Sequence, residues 1–268
     1  MNRIHENNID EAQPKRIGFL GCGKISEPMV RSLARQFPNS KILVSKRSAH
    51  ISSRLSHEFT NVTTETNQAI IDGSDIVFLS LLADIARDEL LKLNFCPEQV
   101  VISVMAGITL AEVSELIAPA INPCVTIPLP FIETGNCPLP VFPASKALEM
   151  LFGEENAVIT VDEESAIGPH FAATAILSTT MSMLNTVSQW LAENTGDETK
   201  SETYVASLLS GYLGALEKDG QQRFTEAMQD LSTKGGLNTQ LLLHNKEGGV
   251  FKHVKTGLDD LGERLRGS

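Results

Sequence analysis

Apolar residues in the first 163 positions fall into short runs of β-branched and aromatic side chains, separated by amphipathic stretches. Residues 16–20 (RIGFL), 41–45 (KILVS), 61–63, 75–81 (DIVFLSL), 100–105 (VVISVM), 123–127 and 157–161 read as strands. Residues 28–35, 52–59, 66–72, 86–93, 110–117 and 145–152 read as helices, the first with Ser26 at its cap. The strands are apolar on both faces, as required where helices cover both sides of a sheet. Such alternation predicts β-α-β units and a parallel sheet. Pro128, Pro130, Pro138, Pro140 and Pro143 crowd the next stretch. Regular helix and central strand are not expected there, because proline lacks an N–H. From about Glu164 the strand pattern stops. Helical patterning covers 211–216, 224–231, 237–245 and 250–265, punctuated by Gly196, Gly220, Gly235, Gly236, Gly248 and Gly249. The expected fold is α/β: an N-terminal Rossmann-type parallel sheet domain over 15–163, then an all-α C-terminal dimerisation domain over 164–268.

Composition narrows the function classes. The 268 residues carry 22 Lys and Arg against 33 Asp and Glu, a formal net charge of −11. Non-specific nucleic-acid and anionic-membrane binders need a basic footprint, so neither is an expected partner. No apolar run approaches the roughly 18 residues that span a bilayer. Residues 1–14 lack a secretory h-region and are too acidic for a mitochondrial presequence; they read as a flexible tail. Cys22, Cys96, Cys124 and Cys137 are irregularly spaced, which favours reduced cysteines and a cytoplasmic setting. The six histidines (His5, His50, His57, His170, His244 and His253) have no ligand-spaced partners, and no metal is expected.

The strongest local signal is Gly21-Cys22-Gly23-Lys24-Ile25-Ser26, between a predicted strand and a predicted helix. Gly21 and Gly23 suit a tight turn and close approach to a pyrophosphate, with the helix start offering Lys24, Ile25 and Ser26 amides. Ser26 takes the third glycine position as a small residue. An NAD enzyme usually has an acid at the end of the second strand, to hold the ribose 2′-OH. This chain has Ser45, Lys46, Arg47 and Ser48. Two hydroxyls and two cations suit a 2′-phosphate, so NADP(H) is expected over NAD(H). Ala106 and Gly107 end the fifth strand, where the nicotinamide ring would lie flat against the backbone.

Over nearly all of its length after the tail, the chain resembles the pyrroline-5-carboxylate reductase family. Four stretches carry the resemblance. IGFLGCGKIS (17–26) stands beside the family's IGF-x-G-x-G-N-M, and VISVMAGITL (101–110) beside VIS-x-x-AGI-x-L. AVITVDEES (157–165) is like the strand that ends the family's nucleotide domain. Lys234-Gly235-Gly236, followed by LLLHNKEGGVF (241–251), is similar to S-P-G-G-T-T and the helix after it. The resemblance implies hydride delivery from NAD(P)H to a cyclic imine carbon. It also implies a helical domain that forms a homodimer, with the active site between the cofactor and a partner's helices. Ser80 and Leu81 are placed with the cofactor by the same resemblance. Pro128, Leu129, Lys234, Gly235 and Gly236 are placed with the substrate, and Thr233 and Asn238 act by hydrogen bonding in catalysis.

The departures fall on the substrate side. The family's M-P-N-T-P corresponds to Ile127-Pro128-Leu129-Pro130-Phe131, and its V-K-P to Leu81-Leu82-Ala83. Its S-G-S-G-P-A-Y has no counterpart near 174–181, and two hydroxyl positions read as Leu237 and Asn238. A small zwitterionic imino acid needs polar partners for its carboxylate. The more apolar wall therefore suggests an imine, or related C=N or C=O, reductase with an altered substrate. Lys234, which replaces a proline, reads either as an anion contact or as a solvated lysine. Trp190, with Met181, Met183, Leu184 and Leu191, forms an apolar helix face suited to a core or dimer interface. Two alternatives stand beside this reading. One is an inactive NADP(H)-binding assembly protein. The other is a carbonyl reductase of the β-hydroxyacid dehydrogenase type, disfavoured because residues 164–191 hold no lysine.

Overall fold

The computed structural model describes residues 16–216 and 222–266. The expected tail, 1–14, lies outside them. The strands are β1 (Arg16–Leu20), β2 (Lys41–Ser45), β3 (Val62–Glu65), β4 (Ile76–Leu79), β5 (Val100–Ser103), β6 (Cys124–Thr126), β7 (Pro138–Phe142) and β8 (Ala157–Thr160). Helices α1 (Ser26–Gln36), α2 (Ala49–Glu58), α3 (Asn67–Asp72), α4 (Ala83–Leu90), α5 (Leu110–Leu116) and α6 (Lys146–Phe152) alternate with them. After β8 come α7 (Ile167–Ala173), α8 (Ile176–Thr195), α9 (Glu198–Ala215), α10 (Arg223–Leu231), α11 (Leu237–Glu247) and α12 (Val250–Arg266).

One eight-stranded sheet has the order β3-β2-β1-β4-β5-β6-β7-β8. All pairs are parallel except β6 with β7. The fully buried strand residues explain the doubly apolar runs. Ile17, Phe19, Ile42, Phe78 and Ile102 feed one cluster with α1 and α6. Leu20, Leu43, Val77, Leu79 and Val101 feed another on the opposite face with α3, α4 and α5. Phe19 stacks on Phe78 with centroids 4.7 Å apart, and Phe78 meets Phe152 edge-on at 6.2 Å.

The proline-rich stretch holds an interior strand, contrary to expectation. β7 lies between β6 and β8, with Pro138 and Pro140 inside it. The Cys137 and Val141 carbonyls accept from the Ala157 and Val161 amides, so the odd-numbered residues face β8. By strand alternation the prolines face the other way. There β6 has three residues and pairs only with Val141 and Phe142. The prolines therefore stand beyond the end of the β6 ladder, where no donor is needed.

Two compact units divide within α7, between His170 and Phe171. Residues 164–170 stay with the sheet unit, beyond the expected end at 163. Ile167 buries against Val125 and Val161, and the Glu164 carboxylate accepts the Leu110 amide at 2.7 Å.

The second unit is helical throughout its described residues. α8 ends at Gly196 in the left-handed region, and Asp197 caps α9 by accepting the Lys200 amide. Among the described residues of this unit, only Ala172, Ser201, Val205 and Ala227 are buried. Among the described residues no helix is long and apolar enough to cross a membrane.

Candidate functional site

The glycine turn follows β1 at the carboxyl edge of the parallel strands. Gly21 has φ +93°, a conformation that side chains rarely adopt, and a methyl there would overlap the Ser80 carbonyl oxygen. The turn is braced from both neighbouring strands. The Gly21 amide donates to the Ser45 hydroxyl at 3.1 Å. The Ser26 hydroxyl donates to the Gly21 carbonyl at 2.9 Å and lies 2.7 Å from the Ser80 hydroxyl. Gly23 stands in open space, with nothing within 4 Å of the place its Cβ would take. The Glu27 amide closes the first turn onto the Gly23 carbonyl. Amides 24–26 therefore precede the intrahelical ladder, with Lys24 exposed and Ser26 buried.

Two expected roles change here. Ser26 does not cap α1. The cap position is Ile25, which has no side-chain cap bond, because the Ser26 hydroxyl is drawn down to Gly21 and Ser80. Ser45 does not face a ribose phosphate. It is 1% exposed and its hydroxyl is turned inward to the Gly21 amide. Lys46 is exposed, and 46–48 form a 3-10 turn leading into α2. Glu27, in the first turn of α1, bonds Arg31 at 3.3 Å and also pairs with Arg54 of α2. Arg31 pairs with Glu58 and holds its carboxyl below the usual range. This network fixes α2, and so the basic turn before it, against the helix that carries the phosphate turn. Glu27 and Arg31 have the i,i+4 spacing of a helix pair, but no spacing rule in the sequence points to Arg54 or Glu58.

Cys22 is buried, and burial, with the nearby Glu27 charge, pushes its thiol up to about 12. It is a packing residue of the turn and not a nucleophile.

Farther along the same edge, Leu81 is buried beside Gly21, and Leu82 is exposed. Ala106 and Gly107 are exposed after β5. Gly107 has φ +78°, and a methyl there would meet Ala83 at 3.8 Å, so two strand-to-helix turns adjoin. Pro128 is buried after β6. Leu129 packs on the first core cluster, and Phe131 remains 36% exposed. Arg35 of α1 bonds Glu133 at 2.6 Å and so holds this loop to α1.

In the helical unit, Thr233, Lys234 and Gly235 are exposed between α10 and α11, and Leu237 and Asn238 are exposed at the start of α11. The Thr233 carbonyl accepts from the Gly236 amide at 2.9 Å and from the Thr239 hydroxyl at 2.9 Å. The amide of Gly236, a residue expected beside the substrate, is thus taken. The outward amides of α11 belong to the following residues. His244 is exposed on α11.

A family described as NADP oxidoreductase, coenzyme F420-dependent, matches residues 16–107, the segment from β1 to the Gly107 turn. Pyrroline-5-carboxylate reductase 1 of Bacillus spizizenii is 28% identical over 106 residues, covering 38% of this chain and 36% of that relative. The chain therefore matches little more than a third of that relative's length. Solved structures extend the likeness of fold. Pyrroline carboxylate reductase of Plasmodium falciparum with NADP bound gives a TM-score of 0.78 at 13% identity, covering 94% of this chain and 97% of that one. The Coxiella burnetii pyrroline-5-carboxylate reductase gives 0.78 at 17%, covering 95% and 98%. The chain is thus similar to pyrroline-5-carboxylate reductases in its N-terminal sequence and in its fold. A reductive aminase of Aspergillus terreus, in complex with NADPH4, cyclohexanone and allyl amine, shares the fold at a TM-score of 0.58 and 14% identity, covering 95% and 93%.

Proposed function

We propose that the chain is an NADP(H)-dependent reductase of C=N bonds, acting on a cyclic imine that lacks the carboxylate of pyrroline-5-carboxylate. The braced Gly21 turn, with open space at Gly23 and helix-start amides outside the intrahelical ladder, carries the reading. A turn of this kind suits a pyrophosphate. The exposed Lys46 and the Arg47 that follows it are assigned to the 2′-phosphate, which makes NADP(H) the preferred cofactor. When bound, this cofactor supplies the hydride. The backbone at Ala106 and Gly107 gives the nicotinamide ring a flat, side-chain-poor seat. Thr233 and Asn238 are assigned hydrogen bonds to substrate, and Lys234 with Gly235 the outer rim. An iminium carbon takes hydride without a prior proton, so no strong general acid is needed. Leu129, partly buried in the core, and Pro130 offer no polar partner where the family has an asparagine and a threonine.

The same reading makes the protein a homodimer through its helices. Trp190 is 61% exposed, Leu241 60% and Leu237 85%. A helical unit with four buried residues among those described lacks a core of its own. Apolar faces of this extent are covered in stable assemblies.

NADPH oxidation with a panel of cyclic imines tests the reading. Carboxylate-free rings such as 1-pyrroline and 3,4-dihydroisoquinoline are expected to turn over faster than pyrroline-5-carboxylate. A family-like rate on pyrroline-5-carboxylate would sink the altered substrate. Tight NADPH binding with no turnover of any imine would favour the inactive binding protein. Replacing Lys46 and Arg47 by alanine is expected to weaken NADPH roughly tenfold or more and NADH little, the scale of lost charge-assisted phosphate contacts. Equal losses for both would remove the assignment of these residues.

A further inference from the structure

The exit from the sheet is tied to the turn at the proposed nicotinamide end. Glu164 stands just past β8, and its carboxylate accepts the amide of Leu110, the first residue of α5, at 2.7 Å. That amide has no carbonyl partner within its own helix, so a charged acceptor there is both a hydrogen bond and a favourable helix-dipole contact. The residues just before Leu110 form the turn in question. Ala106 and Gly107 are exposed, and Ile108 is buried in the core cluster shared with α4 and α5. Apolar contacts reinforce the polar one. Ile167 packs with Val125 and Val161, and Leu110 and Ile127 border the same cluster. Ile127 immediately precedes Pro128 and Leu129. The segment 164–167 therefore holds both loops that the functional reading places on the reacting side.

We propose that Glu164 is a positioning residue for the nicotinamide end of the cofactor, acting through the Leu110 amide on the Ala106–Gly107 turn. The inference rests on the cofactor reading above. Glu164 touches neither cofactor nor substrate in this scheme; it fixes where the turn sits when α5 begins. The phosphate turn at Gly21 is braced separately, by Ser45 and Ser80. Loss of Glu164 should thus separate the two halves of the cofactor.

The experiment compares the full chain with Glu164→Ala and Glu164→Gln, reading NADPH affinity and nicotinamide fluorescence, 2′,5′-ADP affinity and melting temperature. Glu164→Ala is expected to weaken NADPH roughly three- to tenfold and to reduce the fluorescence enhancement of the bound nicotinamide, as for one lost charge-assisted hydrogen bond. Binding of 2′,5′-ADP, which fills only the adenosine half, should change by less than about twofold, since that half keeps its own hydrogen bonds. Glu164→Gln keeps an acceptor oxygen and should restore most of the nicotinamide signal. If Glu164→Ala does not fold, Glu164→Asp replaces it, with the carboxylate withdrawn by one methylene and an effect of the same kind. Unchanged NADPH affinity and fluorescence in the alanine or aspartate variant would overturn the proposal. So would equal losses of NADPH and 2′,5′-ADP, which indicate a general structural role. A wild-type chain that binds neither ligand overturns the cofactor reading itself, and the positioning role with it.

Discussion

Replacing Gly21 with alanine is expected to abolish measurable NADPH binding and to lower the melting temperature. Two costs combine at this position. The backbone sits at φ +93°, where a non-glycine residue is strained by about 1–3 kcal/mol. The added methyl also overlaps the Ser80 carbonyl, which is backbone and does not rotate away. Forcing such a group into a packed site adds about 1–3 kcal/mol more. The turn has to shift, and both serine braces with it. An affinity loss above roughly 100-fold follows from about 3 kcal/mol of misplacement. Fluorescence titration measures the first effect and thermal unfolding the second. NADPH affinity within about threefold of wild type, less than 1 kcal/mol, would show that the turn does not hold the cofactor.

Trp190→Glu on α8 is expected to convert a dimer to monomer and to cost stability. The residue is 61% exposed in the single chain. If it stayed so, the substitution would fall within about 0.5 kcal/mol of neutral, as surface changes generally do. Covered by a second copy, it becomes a buried aromatic anchor, and replacing it with a carboxylate places an unpaired charge in an apolar interface. Dimer affinity should then fall by roughly 100-fold or more, as for loss of a central anchor. Sedimentation velocity across a concentration series distinguishes the two outcomes. A wild-type monomer, or a variant that remains dimeric, would remove the proposed interface.

The sheet was legible because its strands announce themselves twice, by β-branched runs and by apolarity on both faces. The interior place of β7 was not. PLPVF reads as an edge or loop unless the shortness of β6 is known, and that is a tertiary fact. The Gly21 turn was legible from its spacing, but the duties of Ser26 and Ser45 were not. A serine that caps, binds ligand or braces a turn looks the same in sequence. α9 was only partly read, since its first residues, Glu198 to Thr203, are mostly polar. Gly196 and Asp197 define that helix by their backbone roles. The Glu164–Leu110 bond joins residues 54 apart, with no motif to flag it.

The Ser45–Gly21 hydrogen bond constrains how this protein's coenzyme choice can drift. Position 45 closes the second strand, where an acidic side chain would read a ribose hydroxyl. Here it is sealed beneath the turn and serves as its brace. An acid introduced there to favour NAD would bury a carboxylate and break the mount of the phosphate turn in one step. Any tuning between the two coenzymes is thereby channelled to the exposed Lys46 just beyond, where charge can change without disturbing the sheet.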